Sequence, residues 1–152
     1  MNGYNVPDND SIIRDWLLYA GNDYNSAYSL MYITEIRPVP YNTICHLCHQ
    51  SSKLAVKALV HSLGARGGVP KSHDIRMLFG QIANIMRDEY GIAIPDEMIS
   101  CASYLVNISS DSRYPNPAGI NIDRDKAEKS LIYAKKIIDW VKEQITIIKN
   151  NG

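Results

Sequence analysis

The sequence predicts an all-α protein, an antiparallel up-and-down bundle of four to five helices. Three observations carry this. Apolar residues recur at three- and four-residue spacing through every long segment. Breaks rich in proline and glycine separate those segments. No stretch shows a supported strand period. The 152 residues fit one domain, 1–152, with residues 1–9 as a loose N-terminal tail.

The first helix is expected from Ser11, capped by Asp10, to about residue 36. Ile13, Trp16, Leu17, Ala20, Tyr24, Ala27 and Met31 share its inner face, and Asp23 falls on that face too. A carboxylate placed there calls for a cationic or hydrogen-bonded partner. Arg37-Pro38-Val39-Pro40 ends the helix, because proline has no N–H and disfavours helix in the residue before it.

The second helix is expected from Asn42 to Leu63, with Gly64 as its C-terminal cap. Ile44, Leu47, Cys48, Ser51, Leu54, Ala55, Ala58, Leu59 and Ser62 lie on one side, and His46, Gln50, Lys53, Lys57 and His61 on the other. After a glycine-rich break, Ser72 is placed to cap a third helix, with Asp74 in its first turn and Gly91 at its end. Ile75, Leu78, Phe79, Ile82, Ile85 and Met86 are its core stripe. Pro95 and Asp96 start a fourth helix that turns Ile99, Ala102, Leu105, Val106 and Met98 inward. A loop is expected over Ser110–Gly119.

Asp123 opens the longest helix. Its seam, Ala127, Leu131, Ala134, Ile138, Val141, Ile145 and Ile148, is regular. A second stripe, Tyr133, Ile137, Trp140 and Ile147, exceeds what a bundle edge usually needs and suggests a subunit interface.

Composition narrows the function. Sixteen basic and sixteen acidic residues cancel, which argues against strong non-specific nucleic-acid binding while leaving room for a local basic patch. There is no signal-peptide pattern and no apolar run of membrane-spanning length. Three cysteines make no disulfide framework of the secreted kind, so a cytoplasmic location is expected. Cys45-His46-Leu47-Cys48-His49 matches the haem-attachment pattern in letters, and its spacing would also suit two zinc thiolates. It lies inside an amphipathic helix, however, and the simpler reading is small core cysteines with surface histidines. No metal or cofactor is expected.

Phosphate chemistry has more support. The basic side of the second helix leads into a glycine-bearing loop and then into Lys71-Ser72-His73-Asp74 at a helix start, where free N–H groups favour anions. Arg66 and His73, at either end of that loop, could in principle act as phosphorane stabiliser and acid/base in metal-independent RNA cleavage. Arg113-Tyr114 falls in a loop, where the arginine could meet phosphate and the tyrosine a base.

Several of these pieces match one family. They are Asp15-Trp16-Leu17 with Ala20, Asp23 and Ala27, then the run from His49 to Leu59, Gly64, and Pro70 to Ile75. Arg113-Tyr114-Pro115 and the last helix with Ala134, Ile138 and Trp140 complete the set. From about residue 11 to 145 the chain resembles the HEPN domain (higher eukaryotes and prokaryotes nucleotide-binding). The resemblance implies a helical bundle, often a homodimer, that binds nucleotide or RNA phosphate. It also implies a prokaryotic two-component setting of the toxin–antitoxin kind, with a minimal nucleotidyltransferase as partner. Some members are ribonucleases carrying Arg-x(4–6)-His late in the domain. Here no histidine follows Arg113, the last being His73. Lys53-Leu54 also stands where the family commonly has Glu-Lys. The expected reading is therefore non-catalytic binding, with Lys57, Lys71, Ser72, His73, Arg113 and Tyr114 meeting the ligand. Asp23 and Asp74 would support them.

Overall fold

The computed structural model describes residues 8–115 and 121–151. Residues 1–7 of the expected tail, 116–119 of the expected loop and residue 120 lie outside the described residues. Five α-helices, with no strand among the described residues, make an all-α helical bundle.

Helix α1 (Asn9–Tyr32) begins earlier than expected because its cap is Asp8, not Asp10. The Asp8 carboxylate accepts a hydrogen bond from the Ser11 N–H at 2.7 Å, and Asp10 sits in the first turn, where the helix dipole favours it. The helix also ends earlier, at Tyr32, because the N–H groups of Ile33 and Thr34 both close onto the Ser29 carbonyl, each at 2.9 Å.

Helix α2 (Tyr41–Ser62) is the centre of the bundle and packs on α1 and on each later helix. Its buried surface therefore exceeds the one expected face. Cys45, His49, Ser52, Val56 and Val60 are buried as well, while Leu47 and Ser62 are only half-buried. The many small residues explain how so much of one helix can be enclosed. The buried Ser51 and Ser52 hydroxyls donate to the Cys48 carbonyl at 3.1 and 2.9 Å, so neither is left unpaired. Gly64 follows with a φ of 64°, a left-handed turn suited to glycine, and opens a short 3-10 turn, Gly64–Arg66.

From there the chain doubles back along α2. Gly67 packs so tightly on the Val60 carbonyl that a side chain has no room. Helix α3 (Ile75–Tyr90) is capped by Asp74, whose carboxylate accepts from the Arg76 N–H at 2.9 Å. Ser72, the expected cap, instead accepts from the Asp74 N–H at 3.0 Å and braces the true cap. Gly91, at φ 66°, ends α3.

Helix α4 (Asp96–Ser112) follows Pro95. Met98, Cys101, Ala102, Leu105 and Ile108 face inward, whereas Ile99 is 37% exposed and Val106 half-buried, against expectation. The helix also runs into the expected loop, to Ser112. Helix α5 (Arg124–Asn150) is capped by Asp123, and every residue of the expected seam is buried.

The second stripe of α5 packs in part within the chain. Tyr133 meets Tyr104 of α4 edge-on at 5.0 Å, Trp140 meets Phe79 of α3 at 5.9 Å, and Ile137 is fully buried. The chain's own α3 and α4 thus take up part of the stripe, while Tyr133, Trp140 and Ile147 stay half-buried.

Long-range pairs give the directions. Asn9 reaches His61, Lys149 reaches Asp10, and Lys136 reaches Glu97. Helix α1 is thus antiparallel to α2 and α5, and α4 to α5. Four helices alternate, and α3 lies beside them.

Candidate anion-binding site

The cationic side of α2 carries His46, Lys53, Lys57 and His61 at helical spacing. Three other elements close over it. Helix α1 supplies Trp16 and Asp23, the end of α4 supplies Arg113 and Tyr114, and the returning loop supplies His73 and Asp74.

At one end, Asn42, Thr43, His46, Ser112, Arg113 and Tyr114 line a cavity of about 450 Å³. Its position follows from the unexpected length of α4, which carries Arg113 to the N-terminal half of α2. Ser109, buried on α4, holds His46 Nδ1 at 3.3 Å through its hydroxyl. Burial, then the nearby Arg113 and Lys53, push the basicity of His46 down, while Asp23 pulls it up. Asp23 is itself raised above the usual carboxylate range by burial, with His46 acting the other way. Asp23 forms no ion pair or side-chain hydrogen bond among the described residues, so the partner expected for it is not found there, and His46 is the group that acts on it. Tyr114 is 77% exposed at the rim.

At the other end, Lys57 Nζ lies 3.5 Å from His73 Nδ1 and 5.5 Å from the centre of the Trp16 ring. His61 stacks on Trp16, with ring centres 5.6 Å apart. Lys53 joins the two ends. Burial lowers its basicity, and Lys57 and Arg113 lower it further by repulsion.

Beneath this surface lies His49, 5% exposed. Burial, then Lys53, His46 and Arg113, bring its basicity down to about 4, opposed by Asp74. Its Nδ1 is buried with no hydrogen-bond partner among the described residues. This corrects the expectation that all the histidines sit at the surface.

The structure divides the remaining candidates. Lys57 and His73 come together, and Arg113 and Tyr114 share a cavity. Lys71 and Ser72 keep their polar contacts within the loop and α3. The Lys71 N–H donates to Gln81 Oε1 at 3.1 Å, and the Ser72 hydroxyl to Met77 Sδ at 3.6 Å. Asp74 is committed to Arg76 at 2.8 Å, which with the cap's own hydrogen bonds holds its carboxyl below the usual range. Arg66 pairs with Glu89, so the Arg66 and His73 considered for RNA cleavage face different partners.

Sequence reasoning placed His46 and Lys53 on the basic side of the second helix without naming them as ligand contacts, put Trp16 on the inner face of the first helix, and gave no role to Gln81. Gln81 matters because its amide clamps the loop, donating to the Gly67 and Val69 carbonyls at 2.8 and 3.0 Å and accepting from Lys71. Only the helical spacing of His46 and Lys53 with Lys57 was legible beforehand.

Cys45, Cys48 and His49 of the CHLCH string lie in the core, and His46 faces the cavity. Cys45 and Cys48 are fully buried, and the Ser130 hydroxyl donates to Cys45 Sγ at 3.5 Å. Among the described residues no three or more His, Cys, Asp or Glu side chains are grouped as a metal site. No described helix is long and apolar enough to cross a membrane.

Comparison with known proteins places this geometry. The HEPN domain model matches residues 13–144. No curated protein matches the chain. Among solved structures, the chain is similar to the crystal structure of ST0689, an archaeal HEPN homologue, with a TM-score of 0.62 and 25% identity. That similarity covers 88% of this chain and 97% of the other. A family match over most of the chain, together with a five-helix bundle of the same fold, makes this chain a member of the HEPN domain family.

Proposed function

We propose that this HEPN chain binds a nucleotide or polyphosphate, without cleaving it, on the cationic side of α2. One observation carries the reading. Lys53 and Lys57 are half-buried one turn apart on α2, and Arg113 is exposed at the end of α4. Burial, then Lys57 and Arg113, depress the basicity of Lys53, and none of the three forms an ion pair among the described residues, where nine other ion pairs occur. Half-buried lysines that meet a further cation without a counter-charge are costly, and a phosphate relieves that repulsion. His73 extends the surface beside Lys57, and Tyr114 stands at its rim. Asp23 tunes His46, and Asp74 anchors the loop.

Calorimetry with ATP and inorganic tripolyphosphate tests this. Each charge-assisted contact to phosphate contributes about 1.5–3 kcal/mol, so Lys53→Ala or Arg113→Ala should weaken binding by roughly 10- to 100-fold. Unchanged affinity in both variants, or no binding at millimolar ligand, discards the proposal.

A second reading has its own observation. His46 and Arg113 line one cavity, so an acid/base and an oxyanion stabiliser meet there although no linear motif joins them. If the protein is instead a metal-independent ribonuclease, wild type should cleave structured RNA in EDTA and His46→Ala should not. Equal cleavage by both removes His46 from any such role.

Partners belong to the same proposal. Leu18, Tyr28, Tyr32 and Ile33 are exposed along α1 and its end, and Ile132 on α5. Such a surface suits a second copy of the chain or a minimal nucleotidyltransferase in a toxin–antitoxin-like pair. Light scattering and co-purification from the native host distinguish these.

A further inference from the structure

We infer that the anion site takes up a proton from solvent together with its ligand, and that His46, in the wall of the cavity it shares with Arg113, is the group that takes it. This rests on the phosphate reading above and names how that same site is regulated.

The geometry starts at Ser109. Its hydroxyl, buried on α4, lies 3.3 Å from His46 Nδ1. A hydroxyl both donates and accepts, so it pairs with that nitrogen whether or not the nitrogen carries a proton. A carbonyl in its place would require the N–H, and a backbone N–H would require the bare nitrogen. His46 therefore changes charge without losing its anchor. It is half-buried, and the cavity of about 450 Å³ beside it brings an anion within reach of its ring.

The charges facing His46 come from three helices. Asp23 of α1 favours the imidazolium, whereas burial, Arg113 at the end of α4 and Lys53 on α2 itself oppose it. Asp74, the cap of α3, acts on His49 instead. Asp23 is a weak counter-charge, because burial raises its own basicity. The free protein therefore holds His46 mostly neutral at pH 7. A phosphate beside Arg113 and Lys53 reverses this balance. It offsets the two cations that disfavour the imidazolium and adds an anion that favours it.

His49 is the contrast. It is 5% exposed, and its Nδ1 has no partner among the described residues to receive a second N–H. It stays neutral while His46 titrates. His61, on Trp16, and His73, beside Lys57, stand at the far end of the surface.

The sign follows from linkage. The free protein holds His46 below its ordinary value, and the anion raises it. Affinity is lowest at high pH. It rises by up to about tenfold for each pH unit below the bound-state value, and levels off once the free protein is protonated as well.

The test titrates the full chain with inorganic tripolyphosphate at pH 8 and 5.5 by calorimetry. Protonation of the ligand is common to every protein compared, so the ratio between proteins isolates the side chain. Relative to their affinities at pH 8, wild type at pH 5.5 should exceed His46→Gln by about tenfold. Nuclear magnetic resonance follows the His46 ring proton, assigned by its loss in His46→Gln. Saturating ligand should raise its titration midpoint by about one pH unit. Circular dichroism melts at both pH values show that each protein is folded. An unmoved His46 midpoint, or a pH dependence that His46→Gln keeps and Asp23→Asn loses, overturns the proton uptake by His46 and leaves the phosphate reading standing. No binding at either pH overturns both.

Discussion

His49 is a histidine enclosed in the middle of the bundle with one ring nitrogen unpaired, surrounded by Lys53, His46 and Arg113. Its neutral form is the one the fold accepts. The folded basicity, about 4, lies below the ordinary value of 6.5, so between those values the unfolded chain takes up a proton that the folded chain does not. Stability is therefore full above about pH 6.5 and falls as the pH drops toward 4. The linkage amounts to ~3 kcal/mol across that window. Urea melts at pH 7.5 and 5 should show the loss in wild type and a much smaller one in His49→Gln. Parallel losses in both proteins would assign the effect elsewhere. Gln81 acts at the same scale in a different way, since one amide makes three hydrogen bonds to the returning loop. Gln81→Leu keeps the bulk and removes all three. We expect a stability cost of about 1–2 kcal/mol, because these bonds are partly open to water. We also expect roughly threefold or greater weakening of ATP binding as His73 loses its register against Lys57. Binding that stays at wild-type strength in a folded Gln81→Leu protein would show that the clamp serves the fold alone.

At the scale of elements, the helices were legible because their apolar spacing repeats over many turns, as the buried seam of α5 shows from Ala127 to Ile148. Their ends were less so, and for a physical reason. Asp8 and Asp10 both have capping chemistry, as do Ser72 and Asp74, and composition alone does not choose between acceptors two residues apart. The hydrogen bonds to Ser11 and Arg76 decide. The extent of burial was also hidden. Spacing shows which face of a helix is apolar, but not how many neighbours will surround it. The position of α2 among α1, α3, α4 and α5 buries Cys45, His49 and Ser52 in addition to the apolar face. The stripe of Tyr133 and Trp140 shows the converse, since an apparent surplus on α5 is taken up by Tyr104 and Phe79.

Across the whole molecule, a formal charge of zero conceals a segregated arrangement. Nine of the sixteen acidic groups stand in ion pairs among the described residues, chiefly along α5 and around α3, such as Glu128 with Arg124 and Asp139 with Lys135. The cations of α2 and Arg113 are left facing one another. This is why the site was only partly legible: Lys57 and His73 are sixteen residues apart, and Arg113 reaches His46 from another helix. No linear spacing carries that information.

The three cysteines are all enclosed, and burial pushes each thiol up, Cys48 most. Since the thiolate is what reacts, modification has to wait for the bundle to open. The thiols thus act as a stopwatch for opening. With a disulfide reagent in excess, all three should label together at a rate that rises about fivefold for each kcal/mol of destabilisation. A bound ligand should slow that clock in proportion to its occupancy of the folded state. One cysteine labelling early, without urea dependence, would reveal a local opening instead. The chain thereby carries its own unlabelled readout for screening ligands.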